Sequence, residues 1–455
     1  MRKSKKNVYR WFFLAACLGL LAISCATKSE AYKDIDNAVS KNEFELGVEA
    51  IKKGQERKRP IYRNNNAISL YLDKGLLEHY AGKYADSSQS LQEAERLIED
   101  AFTKSVTANI ASYIANDNTK EYPGEDFEDI YINIFNALNY YNNGNIEGAL
   151  VEIRKLTWTN GKLDMLGRKY DGVKASAGEY MLEQLKKIGI SLNPELPQGD
   201  PINFSSSALA HYLGALFYFG EGNTDSARIE FNLVEEAFTA NPNVYYHPLP
   251  ASVAAVRNVP NGKVRLNVIA FTGLGPTKEE GNFDSFFPFF SSPILWSTQF
   301  KLPKLVRRPS RIDRIEILIN GETFNLELIE DMGAVVTETY NARFGSLFFK
   351  TYIRTMLKYA AVDVAALVAT DQLGDLAGMA SAAAGKATAD ASESADIRMS
   401  RYFPDKAYIG GINLEPGNYE VTIDFYAGSS MVAKEKRNVT VRPDRLNLIE
   451  AVNLK

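Results

Sequence analysis

Between residues 31 and 240, apolar residues recur at spacings of three and four, so they fall on one face of successive helices. One arrangement returns within this half. Residues 71–84 read as a helix that ends at Gly82, and Leu91 and Ala94 follow on a second helix. Residues 131–144 repeat it, with Asn145, Ile146, Ala149, Ile153 and Leu156 beyond, and residues 209–222 repeat it again before Ala227, Phe231 and Val234. A weaker copy carries Asn42, Phe44, Gly47 and Ile51. In the three stronger copies a glycine supplies the turn between the two helices. The glycines at 82, 144 and 222 are unevenly spaced, so further helices, such as one over 161–188, must intervene.

Beyond Pro242 the period changes to two. Val264, Leu266 and Val268 alternate with polar residues and lead to a strand-ending turn at Gly273-Leu274-Gly275-Pro276. Ile315, Ile317 and Ile319 alternate up to Asn320-Gly321, and Phe324, Leu326 and Leu328 alternate after it, which predicts a hairpin because both turn residues need positive φ. Tyr419, Val421, Ile423 and Phe425, then Val439 and Val441, complete the strand signals. A helix is expected over 346–369, with Phe348, Tyr352, Met356, Tyr359 and Val362 on one face. Residues 374–394 are rich in Gly, Ala and Ser and read as a mobile segment or a poorly packed helix. The fold class expected is therefore α+β: an irregular helical-repeat array over 25–245, then a mixed region over 246–455 with a small antiparallel β-sheet or sandwich.

The N-terminus differs from both halves. Arg2, Lys3, Lys5, Lys6 and Arg10 precede an apolar run over 12–23 that is too short to span a bilayer. A basic stretch, a short apolar stretch and then small residues make a secretory signal over 1–24. The chain has two cysteines, Cys17 inside the apolar run and Cys25 just after it. Cleavage before Cys25 leaves a mature chain with one cysteine and no disulfide. The formal net charge is −4, and loss of the signal cations makes the mature chain more acidic, which argues against nucleic acid as a partner. At 45% hydrophobic, the chain has enough apolar residues for packed cores.

Candidate chemistry is sparse. The Gly273-Leu274-Gly275-Pro276 spacing fits neither a P-loop nor a dinucleotide fingerprint, and Pro276 removes an N–H donor. His79, His211 and His247 have no metal-ligand spacing, so no metal and no other cofactor is expected. No Gly-x-Ser-x-Gly elbow is present. The acid pairs Glu235-Glu236 and Glu279-Glu280 are sequence neighbours, which do not face one another on a helix and so make no carboxylate dyad. A non-enzyme is expected.

Two resemblances extend this reading. Leu21-Ala22-Ile23-Ser24-Cys25 resembles the lipobox of bacterial lipoproteins, with Ala22 where Leu is commonest. That implies lipid on Cys25 and, with Ala26 rather than Asp next, an outer-membrane anchor facing the periplasm. The helical copies resemble the tetratricopeptide repeat. Taken with Gly273 to Glu279, Tyr352-Ile353-Arg354, and Asp396-Ile397-Arg398 before Phe403-Pro404, the whole mature chain resembles a little-characterised family of tetratricopeptide-repeat lipoproteins. Where the family commonly has Trp after its Asp-x-Arg element, this chain has Met399.

The repeat resemblance implies a concave face made by the first helix of each unit. Tyr131, Ile134, Leu138 and Tyr141, then Leu209, Tyr212, Leu216 and Phe219, would line it and bind another envelope protein, unless the chain's own C-terminal half covers them. The functional expectation is a membrane-anchored, non-catalytic scaffold or adaptor. The rivals are a regulator of a cell-wall synthase or export assembly, a carrier of an apolar ligand, and a hydrolase. Asp396 and Arg398 are carried as motif residues of unassigned role.

Overall fold

The computed structural model describes residues 28–106, 120–169, 204–287 and 296–455. The proposed signal and Cys25, most of the helix expected over 161–188, and the 107–119 stretch lie outside them. Residues 1–61 and 62–455 form two compact units.

In the first unit, α1 (Lys28–Ser40) and α2 (Phe44–Gln55) pair through Ile35, Val39, Val48 and Ile51. Asn42 takes the positive φ of 59° at the turn. Gly54 lies so close to Ile61 that a Cβ would meet that side chain at 2.2 Å.

The second unit begins with helix pairs of the same build. These are α3 (Ala67–Tyr80) with α4 (Tyr84–Val106), and α5 (Asp126–Asn142) with α6 (Ile146–Thr157). The short α7 (Lys162–Lys169) follows, then α8 (Ala208–Gly220) with α9 (Thr224–Ala240) and the short α10 (Ala251–Val256). The turns are alike because the same hydrogen bonds close them. Lys83 N donates to Glu78 O, Asn145 N to Tyr140 O, and Asn223 N to Tyr218 O, at 2.8, 2.9 and 2.9 Å. In the first unit Glu43 N donates to Ala38 O at 2.9 Å. These are the six-to-one bonds of a left-handed helix stop, which needs Gly or Asn at the positive-φ residue. Gly82, Gly144 and Gly222 supply it with φ of 74°, 78° and 73°.

The strands are β1 (Val264–Thr272), β2 (Thr277–Phe287), β3 (Trp296–Val306), β4 (Arg314–Ile319), β5 (Glu322–Asn325), β6 (Glu327–Asp331), β7 (Lys406–Leu414), β8 (Gly417–Ala427), β9 (Ser430–Val441) and β10 (Asn447–Asn453). One sheet has the order β10-β1-β7-β6, another β5-β4-β8-β9, and β2 pairs with β3 as a ribbon. All pairings are antiparallel except β1 with β10. The two larger sheets share a core of Leu266, Val268, Ala270, Ile315, Ile317, Ile319, Val421, Ile423 and Phe425. The other face of β1 meets the helices, where Phe271 and Phe135 have ring centroids 5.2 Å apart. With cover on both faces, β1 loses strict alternation and is buried from Arg265 onward.

Three expectations change. Phe324, Leu326 and Leu328 do not share a strand: β5 pairs with β4, while β6 leaves for the other sheet and pairs with β7. The helix expected over 346–369 runs farther, as the 42-residue α11 (Met332–Leu373). The Gly/Ala-rich stretch is a helix, α12 (Asp375–Ser392), that packs along α11. Its glycines permit the contact, since a Cβ on Gly378 or Gly385 would stand 1.7 Å from Thr370 or 2.7 Å from Val362. Among the described residues no helix is long and apolar enough to cross a membrane.

Candidate functional site

The eight groove candidates fall where the helix pairs meet the sheet. Tyr131, Ile134, Leu138, Leu209, Tyr212 and Leu216 have no exposed surface. Tyr141 donates to Leu446 O and accepts from Leu448 N, each at 3.0 Å, beside β10. Phe219 alone keeps substantial exposure, at 38%. Of the two arrangements considered, an open partner groove and cover by the chain's own C-terminal half, the burial is that of the second. These positions are apolar because they form the helical half of a core whose other half is the chain's own sheet.

The same helices hold an extended strap, residues 395–405, which carries the Asp396–Arg398 motif. Arg398 donates to both oxygens of Asp396 at 2.8 and 2.7 Å, and its third nitrogen donates to Asn65 O and Lys120 O at 2.7 Å each. Its guanidinium also lies 5.3 Å from the centroid of the Tyr122 ring. Burial opposes ionisation of Asp396, but the hydrogen bonds and charge of Arg398 outweigh it and hold the carboxyl below its usual range. Farther along, Ser400 Oγ and Arg401 N donate to Asp73 at 2.6 and 2.7 Å, and Ser400 N donates to Glu128 at 2.6 Å. Tyr80 donates to Tyr402 O at 2.9 Å.

Asp73 and Glu128 are fully buried. Burial, resisted by bonds from Ser400 and Tyr62, pushes Asp73 up to about 6. Burial and the nearby Glu125 charge push Glu128 up to about 8. Glu330 on β6 is a third such acid: Tyr131, Ser207 and Tyr245 donate hydroxyl bonds to it at 2.7 to 2.8 Å, and Leu209 N donates from the start of α8. Burial again raises its pKa. All three carboxylates bind groups of their own chain, so their chemistry is to fix one segment on another. Sequence reading missed them. The available signal was an acid inside an apolar helical stripe, as with Asp73 beside Leu72 and Leu76.

One acid pair has more catalytic character. Asp331 and Asp405 flank Gly333, where a Cβ would stand 3.3 and 2.3 Å from one oxygen of each. Arg307 lies 3.1 Å from Asp331 and 3.7 Å from Asp405. Burial and the Asp331 charge raise the pKa of Asp405. Asp331 is already occupied, as the N-cap of α11 bonded to Ala334 N and by the Tyr246 hydroxyl. This pair secures the start of a long helix.

The histidines are packed. His211 bonds Glu230 at 2.6 Å inside the α8–α9 pair, and His79 bonds Asn139 and Glu450. Among the described residues, no group of His, Cys, Asp and Glu is placed to hold a metal ion. A hollow of about 340 Å³ on the first unit is lined by Asp34, Lys41, Glu43, Lys53 and Arg57, whose mixed charges select no one ligand. Compared with protein-family profiles, curated proteins and solved structures, the chain matches none.

Proposed function

We propose that this chain is a lipid-anchored envelope lipoprotein that acts as a non-catalytic scaffold for another envelope protein. In this reading the signal over 1–24 is removed, Cys25 carries the lipid, and the helix pairs are an irregular tetratricopeptide-like array. The observation that carries it is the use made of the strap. Asp73, Glu128 and Arg398 all bind backbone of their own chain, so the strap is tied to the helix pairs of the second unit. Chemistry needs such groups turned toward a substrate, whereas a scaffold needs them turned inward.

A closed groove moves partner contact to the outer helix faces. Trp158, 58% exposed at the end of α6, is the strongest anchor there, with the Arg154 guanidinium 5.4 Å from its ring and 5.5 Å from that of Tyr218. Trp, Tyr and Arg are the residue types that dominate binding hot spots. Photo-crosslinking in cells tests the reading. A crosslinker at Trp158 is expected to capture a discrete envelope protein, while one at Tyr212 reacts only within the chain. Capture from Tyr212, or none from Trp158 in membranes that retain the protein, overturns it.

A further inference from the structure

Arg154 on α6 is held in place by neutral groups alone. Its Nε donates to the Tyr218 hydroxyl of α8 at 3.0 Å, and its guanidinium lies 5.4 Å and 5.5 Å from the ring centroids of Trp158 and Tyr218. Among the described residues, neither of its terminal nitrogens meets an acceptor. Exposed arginines elsewhere spend those nitrogens on carboxylates, Arg57 on Asp34 and Arg96 on Glu93 and Asp100. Arg257 also lies over a ring, 4.9 Å from that of Phe231, and still reaches Glu235 at 2.9 Å. Arg154 has the ring contacts without the acid.

A guanidinium held by Nε and by ring faces keeps its full charge and offers its two remaining nitrogens as a planar fork. Much of the cost of ordering so long a side chain is met before any ligand arrives. That fork matches the two oxygens of a carboxylate. The surroundings favour this acid over a phosphate, which carries more charge than one cation balances. The nearby lysines are already neutralised, Lys155 by Glu95 and Glu152, and Lys162 by Glu95 and Asp129. An anionic lipid surface would also meet a chain whose formal net charge is −4. Beside the fork the surface is apolar: Trp158 is 58% exposed, and Val151, three residues before Arg154 on the same helix face, is 44% exposed.

We infer that Arg154 is the receptor for a carboxylate of a partner protein, whose apolar side chains cover Val151 and Trp158. The inference rests on the scaffold reading above and names the chemistry its partner must present. An Asp or Glu side chain and a polypeptide C-terminus offer the same two oxygens, so the fork takes either. Trp158 serves twice, as a wall that orients the guanidinium and as apolar surface for the partner to bury. Tyr218 is a positioning residue, since it occupies Nε and so turns the terminal nitrogens outward.

A photo-crosslinker at Val151 of the full-length chain in cells tests this, because it leaves Arg154 and Trp158 in place. With Arg154 intact, the adduct should be a discrete protein, joined through a peptide that carries Asp, Glu or that protein's last residue. Arg154→Glu should cut the yield at least about tenfold, as loss of a charge-assisted bidentate contact predicts. Arg154→Lys keeps the charge and the fold but not the fork, and should cut the yield severalfold. Changing the mapped acid of the partner to Arg should restore capture by the Arg154→Glu chain. Where instead deletion of the partner's last residue abolishes capture, its C-terminal carboxylate is the ligand. Equal yields from the wild type, Arg154→Lys and Arg154→Glu overturn the inference and leave the scaffold reading standing. Adducts to lipid in place of protein overturn it too. No adduct from Val151 or from Trp158, in membranes that retain the chain, overturns both readings together.

Discussion

His79 Nε2 lies 2.6 Å from Glu450 Oε1, joining α3 to the last strand across 371 positions of sequence. The second ring nitrogen fixes the protonation. Ser87 donates its hydroxyl to Gly75 O, so it accepts from the Asn139 amide nitrogen, and Asn139 must present its oxygen to His79 Nδ1. Nδ1 therefore carries a proton. Burial disfavours the cation, but the Glu450 charge and its hydrogen bond outweigh this and raise the His79 pKa above its ordinary value. A proton must therefore lie between Nε2 and Glu450 Oε1 as well, and both side chains are under 10% exposed.

Breaking that pair from one side leaves an uncompensated charge in the core. Glu450→Gln or His79→Gln should lower stability by about 3–5 kcal/mol, the usual cost of removing one member of a buried ion pair. The double variant His79→Leu with Glu450→Leu should cost less than the sum of the single changes. Urea unfolding of the four proteins closes the cycle. Additive costs would mean that the two residues do not interact as charges.

Stability should fall as the pH rises from about 5 toward 9. A group whose folded pKa is raised contributes stability that is complete below its unfolded pKa and is lost as pH passes its folded pKa. Asp73 at about 6, Glu128 at about 8 and His79, raised above 6.5, all have this sign. Glu95, where burial is overcome by Lys162 and lowered to about 2, has the opposite sign and matters only in acid. Thermal midpoints should therefore peak in mildly acidic solution. Glu128→Gln should flatten the decline between about pH 5 and 8; an unchanged slope in that variant would exclude Glu128 as its source.

Most of the fold was legible where a pattern is local. The turns at Gly82, Gly144 and Gly222, the β1 and β4 strands and the Asn320-Gly321 hairpin, with φ of 52° and 79°, all follow from spacing and turn chemistry. What escaped depends on contacts far apart in sequence. Leu326 looks like the middle of a strand, yet its N–H bonds Ile315 O while the residues after it join another sheet. The glycines of α12 read as looseness and serve close packing, because composition does not reveal what a missing Cβ would strike. The groove residues read as one apolar face that the C-terminal half could cover, but which strands would cover it was not legible, and Phe271 of β1 and Leu448 of β10 lie against these helices. Asp396 and Arg398 were visible as a pair, whereas their hold on Asn65 and Lys120 was not.

That hold predicts a graded result. Arg398→Lys keeps the charge but loses the planar fork that binds Asp396 and two carbonyls together. It should lower stability by about 2 kcal/mol, within the range for hydrogen bonds to a charged group. Asp396→Asn should cost about as much, and the pair should be strongly non-additive because both changes break one bidentate contact. Chemical unfolding of the set measures it. An additive pair would mean that Arg398 acts through the two backbone carbonyls alone.

The distal hairpin should open without the rest of the fold. Past Tyr359, α11 and α12 rest on each other, and Gly385 sits where a Cβ would stand 2.7 Å from Val362. Gly385→Leu must push the helices apart at that level, an overpacking cost of about 1–3 kcal/mol. Val364, Leu367 and Val368 are half or more exposed, so little core lies behind them to resist local opening. The Arg354–Glu393 ion pair, both residues under 4% exposed, closes the base of the hairpin and limits how far the opening travels. Hydrogen exchange should therefore quicken across 361–388 and stay unchanged in β1, β7 and the helix pairs. If protection falls together in all of these, the hairpin is part of the global folding unit and its glycines hold the whole domain.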